Sequence, residues 1–186
     1  MEFTNRKQVS SAFFITLLMS MAFLLCNNYV AAISPTSVSI SLSPNLVNAN
    51  STLTLVATVT GSSPSGTITW TTNSTTGTFN ATSTALTSSS AAVTYANTQP
   101  VNVTISAAYS GDSNNSPSSS TINVRIYPVG DFYHTGYVNF EDTVFFVIAY
   151  IQAANGHFNP ACDLNHDGKI DFNDVKIYVH AYETQT

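Results

Sequence analysis

The stretch Leu53-Thr-Leu-Val-Ala-Thr-Val-Thr60 alternates apolar and polar side chains along its whole length. Alternation with a period of two is typical of a β-strand with one buried face, and Thr suits the exposed face of a sheet. The same alternation recurs in residues 101–109 and 122–126. These three runs predict the central strands of one β-sheet structure.

Shorter strands are predicted around residues 38–42, 67–72 and 91–95, with a further one at Phe79. Clusters of Gly, Ser, Pro and Asn separate them, as expected for turns. Residues 33–128 contain 40 Ser plus Thr, a richness that disordered mucin-like stalks share. The alternation argues against disorder. Roughly six or seven short strands in this space predict a β-sandwich with Trp70 in its core.

Four short motifs in this segment resemble bacterial and archaeal Ig-like repeat domains of surface proteins. They are Leu42-Ser-Pro44, the stretch from Leu53 to Thr60, Gly66-Thr-Ile-Thr-Trp70 and Tyr109-Ser-Gly-Asp112. The resemblance implies an Ig-like sandwich that acts as a spacer or an adhesive unit. It implies no catalytic residues, and no enzyme activity is expected.

Residues 1–32 have the features of a secretory signal peptide. Arg6 and Lys7 precede an apolar run, and Val30-Ala31-Ala32 offers small residues for cleavage after Ala32. The expected location is therefore secreted or at the cell surface. An uncleaved signal that anchors the chain in a membrane is the alternative.

Charge is scarce and unevenly distributed. Only 8% of residues are charged and the net charge is −5, which argues against a nucleic-acid partner. Eight of the ten acidic residues lie beyond residue 130. This change of character predicts a domain boundary near Pro128 and a separate C-terminal domain over residues 129–186.

The C-terminal region contains the acidic segment Asp163-Leu-Asn-His-Asp-Gly-Lys-Ile-Asp-Phe-Asn-Asp174, called loop B below. Its oxygen-bearing side chains and its glycine have the spacing of an EF-hand-type calcium loop, with Asp in place of the last Glu. Calcium prefers such oxygen ligands. The predicted Ca²⁺ ligands are Asp163, Asn165, Asp167, the Lys169 carbonyl, Asp171 and Asp174.

A related segment, residues 131–142, begins 32 positions earlier and is called loop A below. Asp131, Gly136 and Asp142 match the first, sixth and last positions of loop B. Tyr133 and Thr135 stand where loop B has Asn165 and Asp167. Fewer carboxylates predict a weaker or vestigial calcium site, formed by Asp131, the Tyr137 carbonyl, Asn139 and Asp142.

A helical pattern follows each loop, and the apolar faces of the two helices are predicted to pack together. The first face comprises Phe140, Val144, Val147, Ile148 and Ile151. The second comprises Phe172, Val175, Tyr178, Val179 and Tyr182.

The duplicated loop and helix, carried by Asp163-x-Asn-x-Asp-Gly-x-Ile-Asp-x-x-Asp174, resembles type I dockerin domains. The resemblance implies a small all-α module with two calcium loops that docks a cohesin-like partner. The family's contact positions fall on Phe140, Glu141, Phe172 and Asn173, which lack its usual Ser-Thr pair. The alternative is an intramolecular cap, stabilised by calcium, on a surface or adhesion protein.

Three further features are open at this stage. Asn50, Asn73, Asn80, Asn102 and Asn114 begin glycosylation sequons, about as many as chance gives in so Ser/Thr-rich a segment. Cleavage of the signal would leave Cys162 unpaired. A carbohydrate-binding role toward surface polysaccharide is a further alternative, although Trp70 alone offers no aromatic platform.

Overall fold

Strands dominate residues 33–184, which are the residues that this computed structural model of the protein describes. The signal-like segment, residues 1–32, lies outside them. The strands are β1 (Ser37–Ser43), β2 (Val47–Asn48), β3 (Thr52–Thr60), β4 (Thr67–Thr72), β5 (Gly77–Phe79), β6 (Ser83–Ala85), β7 (Ser90–Asn97), β8 (Val101–Tyr109) and β9 (Ser118–Tyr127).

The strands form two sheets that enclose one apolar core. One sheet has the order β1-β3-β7-β5 and the other β2-β9-β8-β4-β6. Along β3 the side chains alternate between buried and exposed, as the sequence predicts. Leu55, Ile68 and Ile105 are fully buried between the sheets. Trp70 lies among them, and its Nε1 donates to Thr84 Oγ1 over 2.9 Å.

The strand order is that of an Ig-like sandwich. The four-stranded sheet, which begins with β1, packs on the sheet that contains β8 and β9. Trp70 lies buried on β4, the third long strand. The prediction of an Ig-like sandwich is confirmed.

Asp112 joins two loops at one end of the sandwich through hydrogen bonds to its carboxylate. Its Oδ2 accepts from the Ser65 backbone N–H (2.7 Å) and the Tyr109 hydroxyl (3.0 Å), and its Oδ1 from the Asn114 and Asn115 backbones. These donors favour the charged carboxylate, and the Ser65 N–H contributes most, so the pKa of Asp112 lies well below its usual range.

Two short helices and a single 3₁₀ turn complete the described residues. They are α1 (Phe140–Ala153), the turn Pro160–Cys162 and α2 (Phe172–Glu183). Six buried apolar residues pack between them: Val138, Phe146, Ala149, Cys162, Ile170 and Tyr178. Neither helix in residues 33–184 is both long and apolar enough to cross a membrane.

The predicted small all-α dockerin-like module with two EF-hand-type calcium loops is wrong. The chain is mostly β-sheet, with only these two short helices, and from Ser34 onward it forms one compact unit. The physical reason is that the C-terminal region supplies only two short helices and its first loop is hydrogen-bonded to Asn48 at the end of the sandwich. A boundary near residue 128 stays a prediction from composition.

The predicted apolar face of α1 is also wrong, whereas Tyr178 of the predicted face of α2 is buried. Phe146 on α1 stacks on Tyr178 on α2, with ring centroids 4.6 Å apart. In this orientation of α1, Phe146 and Ala149 are buried. The same orientation leaves Val144, Val147, Ile148 and Ile151 exposed, together with Phe140.

Candidate metal centre

The first carboxylate of each loop accepts the same pair of backbone hydrogen bonds. Asp131 accepts from Thr135 N–H (2.9 Å) and Gly136 N–H (2.7 Å). Asp163 accepts from the matching Asp167 and Gly168 N–H groups at 3.1 and 2.8 Å. Both carboxylates are buried.

The last carboxylate of each loop is bound in the same manner. Asp142 accepts from the N–H groups of Phe132, Tyr133 and Asn139 at 2.8, 3.2 and 2.9 Å. Asp174, fully buried like Asp142, accepts from those of Leu164, Asn165 and Asp171 at 2.8, 3.2 and 2.8 Å. The two loops therefore share one hydrogen-bond scheme, so the sequence duplication is also a structural duplication.

Two residues per loop adopt a left-handed backbone that this scheme requires. Gly136 and Gly168 have φ values of 106° and 84°, which favour glycine. His134 and His166, two positions earlier, also have positive φ. These matched turns bring the N–H groups back onto the first carboxylate.

Each loop ends as the start of a helix. Asn139 caps α1 and Asp171 caps α2, and in both helices the last loop carboxylate completes a capping box. Negative charge in a first helical turn also opposes the positive end of the helix dipole. Asp142 and Asp174 therefore lie in the first turns of the two helices.

The remaining predicted ligands of loop B lie on its exposed side. Asp167 Oδ1 accepts from Lys169 N–H (3.0 Å), and its Oδ2 from Asn165 Nδ2 (3.0 Å). Asp171 Oδ1 accepts from Asn173 N–H (2.7 Å). The corresponding oxygens of loop A are the exposed Tyr137, whose carbonyl accepts from Thr135 Oγ1, and Asn139.

The fit of these residues to calcium is partial. All the donors of loop B are oxygens, the ligands that calcium prefers. Within residues 33–184, however, no three His, Cys, Asp or Glu side chains lie close enough together to hold a metal ion. The carboxylates accept hydrogen bonds from backbone N–H groups and do not converge on one point where an ion could lie. Calcium binding therefore stays a prediction.

Loop A rests against the end of the sandwich. Asn48 on β2 donates from Nδ2 to the carbonyls of Pro128 and Asp131, and its Oδ1 lies 3.0 Å from His134 Nε2. The His134 ring also meets Tyr127 of β9 edge-on, with centroids 4.7 Å apart. These contacts attach the first loop to strands of the sandwich.

Arg125 on β9 also reaches loop A. Its guanidinium lies over the Tyr127 ring (4.9 Å), and it occupies the space that a side chain at Gly136 would need. Sequence reasoning missed both Asn48 and Arg125. The one available signal was that Arg125 is the sole basic residue in residues 33–128, shortly before an acidic loop.

The helices leave an apolar groove on the surface, with a volume of about 440 Å³. Phe140, Val147, Val179 and Tyr182 are among its lining residues. The predicted contact residues Phe140 and Phe172 are 74% and 67% exposed, and Glu141 and Asn173 are also exposed. Their role in binding a partner stays a prediction.

Cys162 is completely buried between the helices and the loops. Burial, and then the nearby Asp174 carboxylate, raises the pKa of its thiol to about 12. The thiol is therefore protonated at neutral pH and packs as a small apolar group. The five sequon asparagines lie on the exposed surface of the sandwich, and their glycosylation stays a prediction.

No protein-family model matches the chain, and no curated protein matches it. Solved structures with some likeness include the D00-D0 domain of intimin, at 18% identity and a TM-score of 0.40. The adhesin InvE of Yersinia pseudotuberculosis (11%, 0.40) and a lipoprotein of Bacteroides thetaiotaomicron (10%, 0.34) are others.

The likenesses cover 53%, 52% and 48% of this chain, and 50%, 33% and 78% of the respective structures. The match to intimin thus spans half of that structure. Each of these TM-scores is below 0.5, and the Ig-like sandwich rests on the strand order of this chain itself.

Proposed function

We propose that this is an exported, non-catalytic protein of the cell surface, in which the two acidic loops form an intramolecular cap on an Ig-like sandwich. Support comes from the contacts of Asn48, His134 and Arg125, which join loop A to strands β2 and β9. The apolar segment behind Arg6 and Lys7 supports export. A membrane-impermeant amine reagent should then label Lys169 and Lys176 on intact cells.

Calcium is the ion that we propose for loop B. Loop A reaches the same hydrogen-bond scheme with Tyr133, Thr135 and Asn139 at the third, fifth and ninth positions. The side-chain oxygens of Asn165 and Asp167, at the third and fifth positions of loop B, are therefore not needed for the backbone conformation. A role in binding a hard cation accounts for them.

Electrostatics supports the same role. Residues 129–186 contain eight acidic and two basic residues. Asp163 and Asp174 are buried, and burial of charge is costly unless other groups compensate it. A bound cation would relieve the repulsion between them and the exposed acids of the same loop, so binding and stability should be coupled.

The test is calcium titration of the full-length chain, followed by calorimetry and thermal unfolding. At a hundredfold excess over the dissociation constant, binding should stabilise the fold by about 2.7 kcal/mol. D167N/D171N should abolish most of this gain, because it removes two charges while each side chain retains an amide oxygen that can accept from the Lys169 or the Asn173 N–H group. E141Q/E183Q removes two acidic charges outside loop B and should retain the gain. If millimolar calcium produced neither heat nor stabilisation, the ion site would be refuted.

The partners expected from the sequence, a cohesin-like module or a surface polysaccharide, stay predictions. The exposed apolar groove between α1 and α2 favours a protein over a polysaccharide at that surface, because its lining is apolar and few polar groups face it. The cap proposal requires no such partner.

A further inference from the structure

One edge of the sandwich differs from the other three. The two sheets end in β1, β5, β2 and β6. The last three strands have three, two and three residues, whereas β1 has seven. Very short edge strands leave few backbone groups for another chain to pair with, and this is a common protection. Of the four terminal strands in residues 33–184, β1 is the longest.

Strand β1 also lacks three further protections of an edge: charge, proline and a bulge. It reads Ser37-Val-Ser-Ile-Ser-Leu-Ser43, without charge or proline. Its seven residues pair with β3 without a skipped residue, so no bulge twists it away. Within the described residues β3 is its one sheet neighbour. Val38, Ile40 and Leu42 face the core but are only half-buried.

The sequence of β1 is symmetric about Ile40. In an antiparallel pair of two copies centred there, Ile40 faces Ile40, Val38 faces Leu42 and Ser39 faces Ser41. Every apolar residue then meets an apolar one and every Ser meets a Ser. Pro35 and Pro44 flank the strand, and since proline has no N–H they limit the ladder at both ends.

We propose that β1 pairs with β1 of a second copy, antiparallel and centred on Ile40. The pairing joins two four-stranded sheets into one continuous sheet. It is isologous, so a single two-fold axis closes the dimer. The occupant is a second copy because the strand is complementary to itself, and because Asp112 is the first charged residue after Ile33, so no repulsion arises along the edge.

The exposed serines give a test that is specific for this register. In S39K/S41K, each introduced lysine faces another across the dimer axis, and like charges directly opposite are destabilising. Sedimentation over a concentration series of the full-length chain should show a dimer, and S39K/S41K should raise its dissociation constant about tenfold or more. S39E/S41E should do the same.

An equimolar mixture of S39K/S41K and S39E/S41E should restore dimers, since every lysine then faces a glutamate. T69K/T71K is the matched control, because it places the same charges on exposed positions of the inner strand β4, and it should dimerise like the unmodified chain. A monomeric unmodified chain at high micromolar concentration would overturn the proposal. So would a mixture that stays monomeric although both variants retain the near-UV signal of buried Trp70.

Discussion

Loops A and B bind their first and last carboxylates through matching backbone N–H groups, but they differ at the positions between. Loop A carries Tyr133 and Thr135 and is attached to the sandwich through Asn48 and His134. Loop B carries Asn165 and Asp167 on an exposed side. The shared part is therefore what folds each loop. Loop A contacts the sandwich through His134, which loop B matches with His166, so the difference between the loops lies in the exposed polar side chains that loop B carries at its third and fifth positions.

The largest effect should follow from removal of the last carboxylate. D142A and D174A each leave three backbone N–H groups without their acceptor, and hydrogen bonds to a charged group contribute about 1.5–3 kcal/mol each in favourable cases. The substitution also removes the cost of burying a charge, so the net loss should be smaller than the sum of the three bonds. Because the loops share one scheme, each variant should lower the free energy of unfolding by about 3 kcal/mol in urea denaturation. A large loss for one variant and none for the other would show that the loops are not equivalent.

A smaller effect should separate the loops. N48A removes the donor to the Pro128 and Asp131 carbonyls, and should cost about 1–2 kcal/mol. Amide hydrogen exchange should accelerate in loop A and remain unchanged in the central strands β3 and β8. N123A removes a side-chain hydrogen bond from Thr104, within the sandwich, and serves as the control. Unchanged exchange in loop A would argue against the cap.

The smallest difference concerns the two glycines. G136A and G168A should each cost about 1 kcal/mol, because both positions have positive φ. G136A should cost about 0.5 kcal/mol more, since its methyl group displaces the Arg125 guanidinium, whose cation–π contact is worth about this much. In an R125A background the excess should vanish. Thermal unfolding of the unmodified chain, G136A, R125A and G136A/R125A can measure this. Equal costs in both backgrounds would exclude a contact between Arg125 and loop A.

Local patterns predicted the local structure well. The alternation in residues 53–60 specified which side chains face the core, because a strand has only two faces and Thr suits the solvent-exposed face. The glycines and acids of the loops specified the turns and the helix starts, since these depend on neighbours within about ten residues.

Long-range packing was not predictable in the same way. The helical periodicity of residues 140–151 was compatible with two faces, and the stacking of Phe146 on Tyr178, which are distant in sequence, selected the other one. The contacts of Asn48 with residues 128–134 span about 80 positions. No local pattern marks such a pair, and for this reason the sequence does not predict that loop A contacts the sandwich.

The division of charge has a consequence for solubility. The outer faces of the sandwich are coated with Ser and Thr hydroxyls, and residues 33–128 contain one acidic and one basic residue. Residues 129–186, with eight acidic and two basic side chains, carry a net charge of −6. Net charge keeps proteins apart in solution. The charge that keeps copies of the chain apart thus lies in its C-terminal region. Multivalent cations at moderate concentration should promote clustering of the protein, because its remaining surface is almost neutral.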